Sequence, residues 1–148
     1  MRLFREIGHD DVEALFAVRI ATRENAYTMA ELENLGITPS SVQEMLRGGT
    51  RGWLCEEDGE VVGFSMGNGP TGEMWVIAVL PDSEGKGIGA RLLALAEEWL
   101  LSRGNPEIWL TTDLDTSLRA YGFYRAAGWR DDGVVDGLRY MRKSRDDP

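Results

Sequence analysis

Residues 76–90 join an apolar strand pattern, a glycine-rich turn and the start of a helix. Their sequence is VIAVLPDSEGKGIGA, in which the apolar run ends at Pro81 and an amphipathic pattern begins after Gly87. Glycine lets the backbone turn tightly and approach a ligand closely. The free N–H groups at a helix N-terminus then favour an anion such as a phosphate. The segment therefore predicts a ligand that is a small molecule bearing phosphate.

Length and charge restrict the class of protein. The chain has 148 residues and neither an internal repeat nor a low-complexity linker, so we treat residues 1–148 as a single domain. Its 25 acidic and 16 basic residues give a net charge of −9. Such a surface repels nucleic acid and anionic membranes and is compatible with a cationic partner such as an amine. With no apolar run suited to a signal peptide or a membrane span, the sequence predicts a cytoplasmic protein.

The single cysteine, Cys55, excludes an internal disulfide and a multi-cysteine metal site. It follows Trp53 and Leu54 in an apolar run, so we expect a buried thiol on a strand. We expect no metal cofactor.

The pattern of apolar residues predicts the order strand, two helices, three strands, helix, strand, helix, two strands. Asp10 or Asp11 is expected to cap the first helix, with Ile20 on its buried face, and residues 23–36 are expected to be a polar connection. Asp-Gly pairs at 58–59 and 136–137 predict two hairpins. A further helix is expected over residues 116–127. The result is an α/β fold (α+β mixed), in which a mixed sheet has helices on both faces.

Two common phosphate-binding motifs do not fit the glycine turn. Gly87 follows Lys86 where a P-loop would have serine or threonine. The turn also comes late in the chain, whereas a dinucleotide fingerprint belongs to a first βαβ unit. Taken alone, the turn is equally compatible with a tight connection between a strand and a helix.

A third pattern fits better. Residues 79–90 resemble the coenzyme A-binding segment of the GNAT superfamily of N-acetyltransferases, whose consensus is Gln/Arg-x-x-Gly-x-Gly/Ala, with Gly87 and Gly89 at the two small positions. Residues 117–129, SLRAYGFYRAAGW, resemble a second segment of that family, Asn-x-x-Ala-x-x-Phe-Tyr-x-x-x-Gly-Phe. The predicted order of elements also agrees with this family over nearly the whole chain.

The resemblance implies the GNAT fold. This fold has a central, mixed but mostly antiparallel, twisted sheet of about seven strands, helices on both faces, and a splayed strand pair at the coenzyme site. Two residues depart from the family pattern. Glu84 replaces glutamine or arginine and places a carboxylate near the expected diphosphate, although several backbone hydrogen bonds can outweigh that repulsion. Ser117 replaces asparagine and shortens one contact to the pantetheine arm.

The resemblance also implies roles for individual residues. Tyr124 matches the tyrosine that protonates the leaving thiolate, with Tyr121 one turn earlier as an alternative. Glu73 aligns with a glutamate that accepts the amine proton, and we place it on the same strand face as Trp75, Ile77 and Val79. Coenzyme contacts are expected from Ile77, Ala78, Val79, Glu84, Gly85, Lys86, Gly87, Ile88, Gly89, Ala90, Ser117, Ala120 and Tyr124. Acceptor contacts are expected from Glu24, Asn25, Tyr27 and Asp113, the last also being a second candidate base.

These residues indicate an acyltransferase that moves an acetyl group from acetyl-CoA to a primary amine in a ternary complex. The acceptor, a small molecule or a peptide, and the acyl chain length stay open. Family members often dimerise, so a homodimer is among the expected states. One alternative is a coenzyme A-binding sensor or scaffold without turnover, and another is a nucleotide-phosphate binder with a similar glycine turn.

Overall fold

The computed structural model describes residues 1–22 and 27–145. Its strands are β1 (Arg2–Glu6), β2 (Thr50–Glu57), β3 (Glu60–Asn68), β4 (Glu73–Val79), β5 (Glu107–Thr112), β6 (Arg130–Val135) and β7 (Leu138–Ser144). Its α-helices are α1 (Val12–Ile20), α2 (Met29–Asn34), α3 (Pro39–Arg47), α4 (Ile88–Ser102) and α5 (Arg119–Ala126). None of the helices in these described ranges is long and apolar enough to cross a lipid bilayer.

The strands form a seven-stranded sheet in the order β1-β2-β3-β4-β5-β7-β6. All neighbours are antiparallel except β4 and β5, which run parallel. β4 and β5 share a single paired position, Glu73 with Trp109, whereas β5 pairs with β7 along its whole length. The two parallel strands therefore separate towards their carboxyl ends. The predicted mixed sheet with a splayed strand pair is confirmed.

Apolar side chains cover both faces of the sheet. On one face, α1, α2 and α3 pack with Phe64 and Met66 of β3 in a first cluster. On the other face, α4 buries Leu92, Leu93 and Leu100, each at most 1% exposed. Burying one such side chain contributes about 1.5–3 kcal/mol, so α4 is firmly attached to the sheet. The thiol of Cys55 is fully buried on β2, as predicted.

The two predicted hairpins are present. Asp58 and Gly59 have φ of 51° and 84°, and Asp136 and Gly137 have φ of 51° and 80°. Two successive left-handed residues are what a tight two-residue turn between antiparallel strands requires. Local turn chemistry therefore fixes the register of β2 with β3 and of β6 with β7 next to each turn, up to the bulge that each pair contains.

The helix α2 was not predicted. It lies within the segment expected to be a polar connection, and its first turn is stabilised by a capping box. Thr28 Oγ1 accepts from the Glu31 N–H at 3.1 Å, while the Thr28 N–H donates to Glu31 Oε1 at 2.9 Å. Only Leu32 is buried, so the helix shows almost no apolar periodicity in the sequence.

The predicted cap of α1 is confirmed in position only, because Asp11 is the N-cap residue but its side chain makes no capping hydrogen bond to this helix. Neither Asp10 nor Asp11 accepts a capping hydrogen bond from this helix, because a short 3₁₀ turn over residues 9–11 precedes it. The Asp11 carboxylate instead accepts from the Gly8 N–H at 2.7 Å and pairs with Arg5 at 2.8 Å. Ile20, expected on the buried face, is 40% exposed at the end of the helix.

Candidate active site

The gap between β4 and β5 is lined by the backbone of β4. The Leu80 N–H donates to the Val62 carbonyl at 2.8 Å, and the register places Ala78 opposite Phe64. Successive residues of a strand direct their backbone groups to opposite edges. The N–H and C=O groups of Ile77 and Val79 therefore face the gap, whereas those of Ala78 face β3. The prediction that Ala78 contributes backbone groups to the coenzyme is corrected accordingly.

The glycine turn lies at the open end of this gap. Gly85 and Gly87 have φ of 78° and 81°, a region that other residues rarely adopt, and Gly87 is the N-cap of α4. No side chain caps this helix, and an added Cβ at either glycine would meet nothing within 4 Å. The first-turn N–H groups of residues 88–90 lack intrahelical acceptors. This end of α4 is thus an open cradle of N–H groups, which is suited to an anion.

The first turn of α4 packs against α5. A Cβ added at Gly89 would lie 3.4 Å from the Phe123 ring and 3.7 Å from Val79. Ala120, on the same helix as Phe123, is partly buried against a second cluster, which includes Leu93, Leu100 and Trp129. Gly89 therefore permits the close approach of α4 and α5. The space next to its Cα is filled by the side chains of Phe123 and Val79.

Glu57, at the end of β2, contacts two residues of the glycine turn. Its carboxylate accepts from the buried Ser83 hydroxyl at 3.1 Å and lies 3.6 Å from Lys86 Nζ. Arg2 donates to Glu57 and also to the Lys86 carbonyl, at 3.3 Å and 3.4 Å. Burial tends to raise the pKa of Glu57. The hydrogen bond from Ser83 and the positive charges of Lys86 and Arg2 outweigh burial, so the pKa of Glu57 is lowered overall. Glu57 was not predicted, because nothing in the sequence links it to a turn 26 residues later.

The structure supplies a partner for the unusual Glu84. Its carboxylate pairs with Arg119, at the first turn of α5, at 2.9 Å. The negative charge beside the cradle is therefore compensated.

Ser117 is engaged within its own loop. Its hydroxyl and N–H both contact Asp115 Oδ1, at 2.6 Å and 2.9 Å. Residues 116 and 117 form a turn in which the Leu118 N–H donates to the Asp115 carbonyl at 3.2 Å. Leu118 itself is extended, so α5 begins at Arg119, three residues after the expected start near residue 116. The Ser117 hydroxyl donates its proton to Asp115, so its lone pairs can still accept a hydrogen bond from a ligand N–H.

Tyr124 lies on the buried face of α5. It is 9% exposed and makes edge-to-face contacts with the rings of Phe123 and Trp129, whose centroids lie at 5.4 Å and 6.1 Å. Burial raises the pKa of Tyr124 above its usual range, so the phenol keeps its proton. The hydroxyl forms no hydrogen bond within the described residues. Tyr121 is different, because its hydroxyl lies 3.4 Å from Asp131 on β6.

A polar group beneath α5 fixes its position. Trp129 Nε1 donates to Glu97 on α4 at 2.7 Å, and Lys143 Nζ contacts the same carboxylate at 3.0 Å. Lys143 also donates to the carbonyl of Ala127 at 2.7 Å. These bonds join α4, the end of α5 and β7, so the Tyr124 ring has a rigid support.

A β-bulge changes the prediction for Glu73. The register with β3 shifts between Met66 and Gly67, which leaves Trp75 as an extra residue on β4. Trp75 packs on the first cluster together with Val76, whereas Ile77 packs on the second. The shared face predicted for Glu73, Trp75, Ile77 and Val79 is therefore wrong, since strict alternation is interrupted at the bulge.

Glu73 occupies the closed end of the gap, opposite Trp109. Burial raises the pKa of its carboxyl. Its carboxylate makes no hydrogen bond or ion pair in the described part of the chain. A half-buried carboxylate of this kind is better suited to accept a proton than an exposed one.

A cavity of about 210 Å³ opens beside β4, on the sheet face covered by α1, α2 and α3. Tyr27, a predicted acceptor contact, lines it, with the guanidinium of Arg19 4.8 Å from the centre of the Tyr27 ring. Its lining residues are Leu15, Phe16, Arg19, Tyr27, Leu32, Leu35, Ile37, Val42, Phe64, Met66, Trp75 and Val76. Sequence reasoning identified Tyr27 alone among them.

The other predicted acceptor contacts are not among the described residues that line this cavity. Glu24 and Asn25 lie outside the described residues. Asp113 is exposed, and its carboxylate accepts from the Asp115 N–H at 2.9 Å. Over residues 1–22 and 27–145, no group of three His, Cys, Asp or Glu side chains could hold a metal ion.

Comparisons with known proteins agree with this geometry. A family model described as the acetyltransferase (GNAT) family matches residues 13–129. The mycothiol acetyltransferase of Clavibacter sepedonicus is 35% identical over 89 residues, which cover 59% of this chain and 28% of that protein. The mycothiol acetyltransferase of Acidothermus cellulolyticus is 32% identical over 96 residues, covering 53% of this chain and 29% of that protein. The matched region thus spans less than a third of the length of these curated relatives.

Solved structures share the fold. The PaiA N-acetyltransferase from Thermoplasma acidophilum, in complex with coenzyme A, has a TM-score of 0.83 at 18% identity, over 97% of this chain and 99% of that chain. An acetyltransferase structure from Desulfovibrio desulfuricans has a TM-score of 0.80 at 21% identity, over 97% and 99% of the two chains.

Proposed function

The chain belongs to the GNAT acetyltransferase family, and we propose that it transfers an acetyl group from acetyl-CoA directly to a primary amine of a small molecule or peptide while both substrates are bound. The observation that carries this proposal is the separation of β4 from β5 beyond the Glu73–Trp109 pair, with the glycine turn at its open end. A gap with an anion cradle at its mouth suits a long ligand that ends in phosphate.

Backbone groups would hold most of the coenzyme. Ile77 and Val79 face the gap and would bond the amides of the pantetheine arm as an added strand would. The Gly87 turn and the first-turn N–H groups of residues 88–90 would bind the diphosphate. The pairing of Glu84 with Arg119 keeps an uncompensated carboxylate away from it.

Acetyl transfer needs a neutral amine, a donor for the developing oxyanion, and a proton for the leaving sulfur. The amine nitrogen forms a bond to the acetyl carbon, and the carbon–sulfur bond breaks. The backbone N–H of Ile77 or of Val79, which faces the gap, would donate to the oxyanion. Glu73 would accept the amine proton, and Tyr124 would donate its proton to the thiolate.

Glu73 would act through water. It lies four residues before Ile77, which corresponds to about 13 Å along an extended strand. A carboxylate, even with its pKa raised by burial, is a much weaker base than an amine. We therefore expect it to receive the proton through a short water chain once the transfer has begun.

The test is amine-dependent release of free thiol from acetyl-CoA, measured together with acetyl-CoA affinity by calorimetry. We expect turnover with some members of a broad panel of primary amines and little release without an amine. Tight acetyl-CoA binding with no turnover for any amine would instead indicate a coenzyme A-binding module. Thermal stabilisation by ATP but not by acetyl-CoA would contradict both interpretations.

A further inference from the structure

The cavity beside β4 has an unusual lining for a protein with so negative a surface. Every described lining residue apart from Arg19 and Tyr27 has an apolar side chain, and none of the described lining residues is acidic. The net charge of −9 would favour a polycationic acceptor such as a polyamine. The cavity favours another kind of molecule, because burying a second ammonium group among apolar side chains is costly.

The cavity lies next to the place where the acetyl group would be held. Trp75 and Val76 line it, and Ile77, the next residue, directs its backbone groups into the gap between β4 and β5. The bulge turns both Trp75 and Val76 towards the cavity side of the sheet. A molecule seated here would thus have its body among apolar side chains and its reacting end close to β4.

The volume limits the size of that body. A cavity of about 150 Å³ with an apolar lining accommodates benzene. The volume of about 210 Å³ therefore fits one aromatic ring with a short chain of carbon atoms. The rings of Phe16, Phe64 and Trp75 in the lining offer edge and face contacts to such a ring.

We propose that the acceptor is an arylalkyl primary amine, with one aromatic ring in this cavity and its amino group extended towards β4. This proposal rests on the proposed acetyl transfer and names its acceptor class. The rim of the cavity includes Leu35, which is 60% exposed, so its substitution tests the site without disturbing the core.

The experiment compares 2-phenylethylamine with spermidine as acceptors, using thiol release from acetyl-CoA. We expect kcat/KM to be at least tenfold higher for 2-phenylethylamine. Leu35→Asp places a carboxylate at the rim and should reduce this preference at least fivefold. The matched variant Leu138→Asp changes a 44% exposed leucine on β7, outside the cavity lining, and should leave the preference unchanged.

Binding of 2-phenylethylamine, measured by calorimetry with coenzyme A present, separates the two proposals. Equal or better turnover of spermidine would overturn the arylalkylamine assignment and leave acetyl transfer intact. Binding of 2-phenylethylamine that Leu35→Asp weakens, without thiol release, would overturn acetyl transfer and support the cavity assignment. Absence of both binding and turnover with 2-phenylethylamine would overturn the assignment of the cavity.

Discussion

The two sides of the gap between β4 and β5 are built differently. On the α4 side, the ligand would meet main-chain N–H groups at Gly87 and along β4, and Glu57 and Ser83 hold the turn in place. On the α1 side, the described lining of the cavity comes from side chains of five different elements and of two connecting loops. A main-chain site depends on backbone shape, whereas a side-chain cavity changes with each substitution. Under the proposed function, backbone shape would therefore determine cosubstrate binding and the cavity side chains would determine the acceptor.

The largest expected effect comes from Gly87→Glu, which tests the main-chain side. A side chain at a φ of 81° strains the turn, and its carboxylate would enter the mouth of the cradle. We expect acetyl-CoA affinity to fall about 1,000-fold, or about 4 kcal/mol, by calorimetry. The matched control is Gly104→Glu, with a φ of 92° and equally open space just beyond the other end of α4. Similar affinity losses in the two variants would mean that strain, not position, is responsible.

Glu73→Gln tests the junction between the two sides. We expect kcat/KM to fall about 100-fold, because the amine loses its proton acceptor. In the unmodified protein, burial raises the pKa of Glu73, so activity should decline as the pH falls through that raised value, where the carboxylate becomes protonated. This acidic limb should disappear in the variant.

The control for that experiment is Glu98→Gln, at an exposed position on α4. It should keep both the rate and the acidic limb. An unchanged acidic limb in Glu73→Gln would assign the base to another group.

Tyr124→Phe should lower kcat about tenfold, because a thiolate is a fair leaving group and gains less from an acid than the amine gains from a base. Acetyl-CoA affinity should change less than about twofold, since the ring and its contacts with Phe123 and Trp129 are kept. Tyr121→Phe, which removes a hydroxyl that faces Asp131, should change neither value. Equal losses of kcat and affinity in Tyr124→Phe would identify packing as its main role.

The smallest effect is expected from Glu57→Gln, which removes one charge beneath the turn. Acetyl-CoA affinity should fall about threefold, because partly exposed ion pairs contribute little. Glu56→Gln is the matched control, since Glu56 pairs with Arg5 at 2.6 Å and does not contact the turn. Equal affinity in Glu57→Gln and the unmodified protein would show that the glycine turn holds its shape without this charge.

The main-chain side was largely predictable from sequence. Positive φ at Gly87 follows from a glycine placed between a strand and a helix, and the hairpin at Asp58-Gly59 follows from its turn residues. Each of these two features depends only on residues that are adjacent in the sequence. Glu57 shows the limit of this reasoning, because its role requires knowing that β2 ends beneath the turn.

The side-chain side was largely unpredictable. The helix α2 buries only Leu32, so its periodicity is too weak to detect, and its capping box lies in a polar stretch. The cavity brings together residues from 15 to 76, whose proximity is set by how the helices pack on the sheet. The bulge at Trp75 is equally hidden, since an apolar run shows no break in alternation. Tertiary packing, rather than local preference, decided each of these features.

The bulge at Trp75 also limits how far a change of length can propagate along β4. Because alternation restarts there, one residue gained or lost before the bulge would re-orient only Glu73 and Met74. Ile77 and Val79 would keep their orientation towards the gap. A change of length at the beginning of β4 would thus move the proposed proton acceptor and leave the proposed coenzyme-binding end of the strand in place.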